Sequence, residues 1–317
     1  MTIWSATSPG KVILFGEHAV VYGYPAIAAP VTQLKAHVRI ETISENDPGK
    51  IQLNAPDIGF HGEINLLPQT NPIRVLICNL LDYFNNPSLP ALKISIHSEI
   101  PVAAGMGSGA AISTALIKAF ASVVNQPLSL EEISALAFDI EKIYHGNPSG
   151  IDNTVITYQE PVYFQRGRPF IPVKVAQPVK IIIADTGIKK ETARVVAQVR
   201  SSWQADTNTF NRIFHEIGEI VQQARNCLEN GFVDPLGLLM NRNQNLLCEL
   251  GVSSPEIDHL VKTAIGCKAL GAKLSGGGQG GNIIVLPMDE DVDGLMKSLE
   301  NAGAVRTTCT IIDNPME

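Results

Sequence analysis

Pro101-Val102-Ala103-Ala104-Gly105-Met106-Gly107-Ser108-Gly109-Ala110-Ala111 is the stretch whose reading decides the fold of the first half of this chain. Before it, Leu92-Lys93-Ile94-Ser95-Ile96-His97 alternates apolar and polar residues with period two, the pattern of a half-buried strand. After it, Ile112, Ala115, Leu116, Ala119, Phe120 and Val123 recur at i, i+3 and i+4, which predicts a helix of about 14 residues packed on one side. The first N–H groups of such a helix have no intrahelical partner, and the helix dipole adds partial positive charge there. Glycines let that backbone approach a phosphate without a Cβ in the way. The same turn also serves as a plain strand-to-helix reversal with no ligand, and on its own it leaves both readings open. The pattern GxxxxGK[ST] is absent, which disfavours an ordinary P-loop fold.

Downstream, Ser129-Leu130-Glu131-Glu132 has the spacing of a capping box. It opens a second predicted helix through Ile133, Leu136, Ala137, Ile140, Ile143 and Tyr144, broken at Gly146 and Pro148. The run His145-Gly146-Asn147-Pro148-Ser149-Gly150-Ile151-Asp152-Asn153 comes next. Taken singly, Ser149 and Asp152 are ordinary turn residues, His145 an ordinary helix-end residue, and Glu141 an ordinary acid on a solvated helix face. Together they put an acid on a helix, Glu141, eleven residues before an acid in a loop, Asp152. One acid suits a magnesium ion and the other a substrate hydroxyl, a division of labour that fits phosphoryl transfer.

Upstream, Lys11-Val12-Ile13-Leu14-Phe15 is a short apolar run broken at Gly16. Lys11 reads as a surface cation by default, and Glu17-His18 as either loop residues or a substrate-recognition pair. Tyr24-Pro25 and Ala29-Pro30-Val31 punctuate the next stretch, and residues 36–43 alternate as a strand. Residues 73–84 are spaced as a helix. Residues 161–178 are rich in proline and strand-like residues and mark a domain boundary. Beyond them come a buried strand (180–184), helical patterns near 190–201, 208–230, 235–250 and 255–269, a glycine loop, a strand (282–286), a helix (289–302) and a strand (304–312). This series predicts an α/β sandwich. The loop Gly276-Gly277-Gly278-Gln279-Gly280-Gly281 contains GxGxxG, but a strand comes after it where a dinucleotide fold needs a helix. Its glycines call for close backbone approach, either of another chain segment or of a substrate phosphate.

Composition narrows the function classes. The chain has 317 residues, 45% hydrophobic and 17% charged, enough for two domains with sizeable cores. A formal net charge of −7 argues against nucleic acid or an acidic membrane surface as the main partner. The cysteines, Cys78, Cys227, Cys248, Cys267 and Cys309, form no CxxC pair and are odd in number. They fit scattered thiols in a reducing compartment better than a disulfide framework or structural zinc. No signal-peptide pattern opens the sequence and no apolar stretch approaches about 20 residues. A cytoplasmic protein with no membrane partner is therefore expected.

Four segments are similar to motifs of the GHMP family of small-molecule kinases, in its mevalonate-phosphorylating branch. They are Ser8-Pro9-Gly10-Lys11-Val12-Ile13-Leu14-Phe15-Gly16-Glu17-His18-Ala19-Val20-Val21-Tyr22-Gly23, the loop 101–111 together with 145–153, Lys273-Leu274-Ser275 with the glycine loop 276–281, and Asp185-Thr186-Gly187-Ile188-Lys189-Lys190-Glu191-Thr192. The resemblance implies an α+β, two-domain GHMP kinase fold. Residues 1–168 would form the N-terminal ATP-binding domain and 169–317 a C-terminal α/β-sandwich (ferredoxin-like) domain, with the active site in the cleft between. It implies ATP-dependent phosphorylation of the C5 hydroxyl of mevalonate, with ATP and Mg²⁺ as cofactors, and it allows a homodimer. Asp152 would take the hydroxyl proton or orient that hydroxyl, and Lys11 would stabilise the transferring group. Glu141 would bind the magnesium ion, residues 101–111 would wrap the ATP phosphates, and Glu17 and His18 would contact mevalonate. Ser149, Gly150, Lys190 and Thr192 complete the substrate-binding candidates. The family loop carries a second serine, a magnesium ligand, where this chain has Gly109. Either water takes that place, or Ser108 shifts to supply the ligand, or metal binding is weakened. Alternative readings are a GHMP kinase for phosphomevalonate or a sugar, and a ligand-binding homologue without turnover.

Overall fold

The computed structural model describes residues 2–44, 47–85, 88–101, 104–146, 148–189, 192–288 and 291–314, and the side chains of Tyr144 and His145 lie outside that description. The chain divides into two compact units. One contains residues 1–10, 32–101 and 107–158, and the other contains 11–31, 102–106 and 159–317.

In the first unit, β1 (Ile3–Phe15) pairs with β2 (Ala26–Ser44), and both strands run on into the second unit. The expected short run Lys11–Phe15 is thus the end of a much longer strand. Pro30, expected to interrupt the chain, lies inside β2. It falls between residues 26–28, which pair with β6 (Val162–Phe164), and residues 36–44, which pair with β5 (Ala91–Ser98). β3 (Ile51–Ala55) lies parallel to β5, and β4 (Phe60–Glu63) lies antiparallel to β3. The alternation read from the sequence is the burial pattern observed as far as Ile40: Ala36, Val38 and Ile40 are buried, while Lys35, His37 and Arg39 are not; beyond it Glu41 is buried as well, and the pairing with β5 shifts register between Thr42 and Ser44.

Among the described residues four α-helices complete this unit. α1 (Pro72–Tyr83) is capped by Asn71, whose side chain accepts from the N–H of Ile73 and Arg74. α2 (Ser108–Val123) is buried on nearly every side, which is the behaviour of an apolar helix lying inside a core. α3 (Leu130–His145) starts with the Ser129–Glu132 capping box and ends at Gly146, as its sequence predicts. α4 (Ile151–Tyr158) is a correction, because the sequence reading leaves Asp152 in a loop. The β-branched run Thr154-Val155-Ile156-Thr157 hides the helix, since such residues have weak helix propensity. Burial settles it: residues 153–157 are all buried, and α2, α3 and α4 pack together.

In the second unit β6 continues to β7 (Ile171–Pro172). A four-stranded antiparallel sheet has the order β11-β8-β10-β9, with β8 (Val179–Asp185), β9 (Gly271–Ser275), β10 (Asn282–Leu286) and β11 (Arg306–Ile312). This is the split βαβ arrangement of ferredoxin-like sheets. Helices α5 (Thr192–Ala205), α6 (Thr207–Asn230), α7 (Val233–Glu249) and α8 (Pro255–Gly266) fill the first crossover, and α9 (Val292–Asn301) fills the second. The expected start of the last helix, residues 289 and 290, lies outside the described residues.

β9 escapes the sequence reading because it is short and carries Lys273 in a fully buried run. It lies at the end of the sheet order, and α7 supplies the missing partner with side chains. Asn241 accepts from the N–H of Ala272 at 3.0 Å and donates to Leu270 O at 3.2 Å, while Gln244 accepts from the N–H of Leu274 at 2.8 Å. An edge that would otherwise leave backbone groups unpaired is thereby closed.

Candidate active site

In the first unit the glycine turn ends at Gly107, whose left-handed backbone (φ 71°) caps the N-terminus of α2. No side chain caps that end, in contrast to α1, α3, α6, α8 and α9, each of which has a side-chain oxygen accepting from its first turn. Ser108, Gly109 and Ala110 therefore begin a helix whose leading N–H groups have no side-chain cap, the feature an anion requires. Ser108 Oγ lies 3.5 Å from Ser98 Oγ at the end of β5. Pro101 is half-buried, Gly105 and Met106 lie in the described turn, and Val102 and Ala103 lie outside the described residues.

Glu141 lies on α3 and is only 2% exposed, so it is not the solvated-face acid that its sequence context suggests. A buried acid on an interior helix face needs a positive group or hydrogen bonds to remain charged. Asp152 occupies the first turn of α4, where the helix dipole favours a carboxylate. Ser149 Oγ accepts from the N–H of Ile151 at 3.3 Å and so tethers the start of that helix. Thr154 Oγ1 donates to Gly150 O at 2.7 Å. Asn153, which the sequence reading passes over, donates to Ser134 O at 3.1 Å and to Ser134 Oγ at 2.8 Å. It ties α4 to α3 and so fixes the helix on which Asp152 stands.

In the second unit Lys11 is 3% exposed, and its backbone N–H donates to Met106 O at 3.0 Å. The surface cation of the sequence reading is therefore a buried residue. Three side-chain interactions join the segment after it to β9 and its glycine loop. Ser275 Oγ donates to Ile13 O at 2.9 Å and accepts from Ile13 N at 3.1 Å. Glu17 forms an ion pair with Lys273, and both side chains have no exposed surface. His18 places Nε2 2.9 Å from Gly277 O, with a positive φ of 60° that few non-glycine residues adopt. Burial pushes the Glu17 carboxyl above its usual range, opposed by the Lys273 charge, and burial holds Lys273 and His18 below theirs.

Lys273 belongs to a segment the sequence singles out, but its burial and its pairing with Glu17 are not read there. Its signal was a lone cation in the apolar run Gly271–Ser275, where burial demands an acidic partner.

Several glycines of 276–281 meet the chain's own backbone, and Gly277 meets the side chain of Thr192. A Cβ on Gly278 would stand 2.1 Å from Val252 O, and one on Gly280 would stand 2.5 Å from Ile188 O. Asn282 Nδ2 donates to Ala104 O, and Thr186 donates to Gly281 O through both N and Oγ1 at 2.9 Å. A small concavity remains, lined by Ala104, Gly105, Thr192, Ser275 and the glycines 277, 278, 280 and 281. Thr192 begins α5 beside Gly277, and Lys190 lies outside the described residues. A larger groove of about 560 Å³ between α6 and α7, lined by Leu238, Leu239 and Arg242 among others, contains none of these residues.

Known proteins give this arrangement its context. The family model described as GHMP kinases N terminal domain matches residues 71–160, and the one described as GHMP kinases C terminal matches 224–306. The mevalonate kinase of Pyrococcus horikoshii is 35% identical over 301 residues, covering 89% of this chain and 88% of its own. That of Aeropyrum pernix is 32% identical over 314 residues, covering 97% and 96%. Among solved structures, L. major mevalonate kinase in complex with R-mevalonate superposes with a TM-score of 0.86 at 31% identity, covering 99% of this chain and 97% of that one. Methanococcus jannaschii mevalonate kinase superposes at 0.84 and 31%, covering 98% and 99%. Lactococcus lactis galactokinase, at 18% identity and a TM-score of 0.77, shares the fold. This chain is a kinase of the GHMP family, on its mevalonate kinase branch.

Proposed function

We propose that the chain transfers the γ-phosphoryl group of ATP to the C5 hydroxyl of mevalonate, giving 5-phosphomevalonate and ADP for isoprenoid biosynthesis. The observation that carries this reading is the likeness, over nearly the whole chain, to a mevalonate kinase solved with R-mevalonate. In the reaction the C5 oxygen forms the new P–O bond, the bond between the γ-phosphorus and the β–γ bridging oxygen breaks, and the hydroxyl proton leaves. Asp152 takes that proton or orients the hydroxyl. Lys11 stabilises the transferring group, and Ser149, Gly150, Lys190 and Thr192 line the substrate. The uncapped start of α2 and residues 101–111 hold the ATP phosphates.

Magnesium fits the donors present. Among the described residues no cluster of three or more His, Cys, Asp and Glu side chains forms a metal cage. Mg²⁺ does not need one: it takes one or two carboxylates and completes its shell with water and nucleotide phosphates. Glu141 is the carboxylate and Ser108 the hydroxyl that would hold it, with Gly109 leaving room for water. When bound, the ion neutralises charge on the β- and γ-phosphates. We further propose the domain division near residue 168, a cytoplasmic setting and a homodimer. No described helix is long and apolar enough to cross a membrane.

A coupled assay with ATP and mevalonate, phosphomevalonate or galactose in parallel tests the reading. ADP release that depends on mevalonate supports it. Preference for either other substrate, or none for any, contradicts it.

A further inference from the structure

β10 is apolar along its length except at its first residue, Asn282, which is 2% exposed. Its Nδ2 donates to Ala104 O, while its Oδ1 is buried with no hydrogen-bond partner among the described residues. An apolar side chain would bury there without leaving an oxygen unpaired, so packing alone does not account for an amide. The contact with Ala104 does. It stands on a rigid support, because Asn282 lies opposite Asp185 of β8 on one side and Ser275 of β9 on the other.

Two carbonyls of the segment 104–106 are held. Asn282 holds that of Ala104, and the N–H of Lys11 holds that of Met106 at 3.0 Å. In a planar trans peptide the C=O and the following N–H point in opposite directions. Holding these two oxygens therefore turns the N–H groups of Gly105 and Gly107 the other way, and neither forms a hydrogen bond among the described residues. Backbone N–H groups gathered in this way suit an anion. The Met106 contact comes from the main chain and would survive any non-proline residue at position 11, whereas the Ala104 contact needs the Asn282 side chain. Gly105 has no Cβ to resist a turn of the peptide before it, so that side chain keeps its direction. We infer that Asn282 is a positioning residue for the nucleotide: by holding the Ala104 carbonyl it keeps the Gly105 N–H available to the ATP phosphates. This rests on the assignment of residues 101–111 to those phosphates made above.

The test measures nucleotide binding apart from turnover. The full-length chain is titrated with a non-hydrolysable ATP analogue and Mg²⁺. Asn282→Ala should bind it about fivefold or more weakly, as expected when a buried acceptor loses its donor. Asn282→Asp should bind it more weakly still, because the introduced carboxylate accepts and does not donate: it repels the Ala104 carbonyl and draws the Gly105 N–H to itself. KM for mevalonate should stay nearly unchanged in both. Thr186→Val removes a neighbouring side-chain bond, to Gly281 O, and leaves Asn282 in place, so it should keep nucleotide affinity nearly unchanged. Equal weakening in Thr186→Val, a joint rise in the mevalonate KM, or a lower melting temperature with nucleotide affinity intact overturns the inference. Where the Asn282 variants do not fold, ¹⁵N-glycine-labelled unaltered enzyme decides. Its Gly105 amide signal should move when the analogue is added and stay in place when R-mevalonate is added. A Gly105 signal that ignores the analogue overturns the inference. Mevalonate turnover by an Asn282→Ala enzyme of unchanged nucleotide affinity sinks this inference alone. The expected nucleotide results in an enzyme that does not phosphorylate mevalonate sink the functional reading alone. No binding of the analogue by the unaltered enzyme overturns both.

Discussion

The two glycine-rich segments of this chain look alike in sequence and differ in what fills the space beside them. At 276–281 the chain itself fills it: Val252 O and Ile188 O occupy the places where Cβ atoms of Gly278 and Gly280 would stand. At 105–109 the segment ends in an αL glycine and a helix start that no side chain caps. The contrast extends to the polar residues nearby. Glu17, His18 and Ser275 of the second unit are held by partners in their own unit. In the first unit the acids Glu141 and Asp152 stand on helices that pack around α2. Glycine content alone therefore does not identify a phosphate cradle. What distinguishes the two segments is that backbone oxygens stand against Gly278 and Gly280, whereas the 105–109 turn leads into a helix start without a side-chain cap.

If this contrast is right, substitutions at the acids and the α2 start of the first unit should cost turnover, and those at the Glu17–Lys273 pair and the 276–281 loop should cost stability. The largest effect is expected at Asp152. Asp152→Asn should lower kcat by about 10²- to 10⁴-fold, the range for a lost general base, with an unchanged melting temperature. A near-normal kcat would remove Asp152 from the chemistry. Lys273→Met leaves the Glu17 carboxylate buried without its counter-charge and should cost about 3–5 kcal/mol in denaturant unfolding. The double variant with Glu17→Gln should recover part of that loss, and equal losses in the single and double variants would refute the pairing. Gly278→Ala forces a Cβ onto Val252 O at φ +77° and should cost more than about 2 kcal/mol. Gly109→Ser, in the first turn of α2, should leave stability nearly unchanged while lowering the Mg²⁺ concentration for half-maximal rate. A raised Mg²⁺ requirement, or a melting temperature that falls as far as that of Gly278→Ala, would erase the distinction between the two segments.

The legible parts of the fold were those with strong local periodicity or local hydrogen bonding. The capping box at Ser129, the alternation of residues 36–43 and the helix at 73–84 each carry their reason within a few residues. The candidate acids were legible because Glu141 and Asp152 flank a helix break, and the resemblance to the GHMP kinases gave them roles. Illegible features depended on distant partners. α4 is hidden by its β-branched residues and is fixed by Asn153 reaching Ser134 on α3. β9 is stabilised as an edge by Asn241 and Gln244 of α7, a contact no window around residue 272 contains. Burial of Lys11, Glu17 and Lys273 is likewise a tertiary fact, which is why Lys11 reads as a surface cation from its neighbours alone.

The central claim is that this chain places the γ-phosphoryl group of ATP on the primary hydroxyl of mevalonate. Its most direct test is the product formed from ATP and ¹³C-labelled R-mevalonate, monitored by ³¹P–¹³C coupling. The account predicts a single phosphate ester coupled to C5, formed with one ADP per ester. Coupling to C3 or C1, or ADP release without any ester, would contradict it.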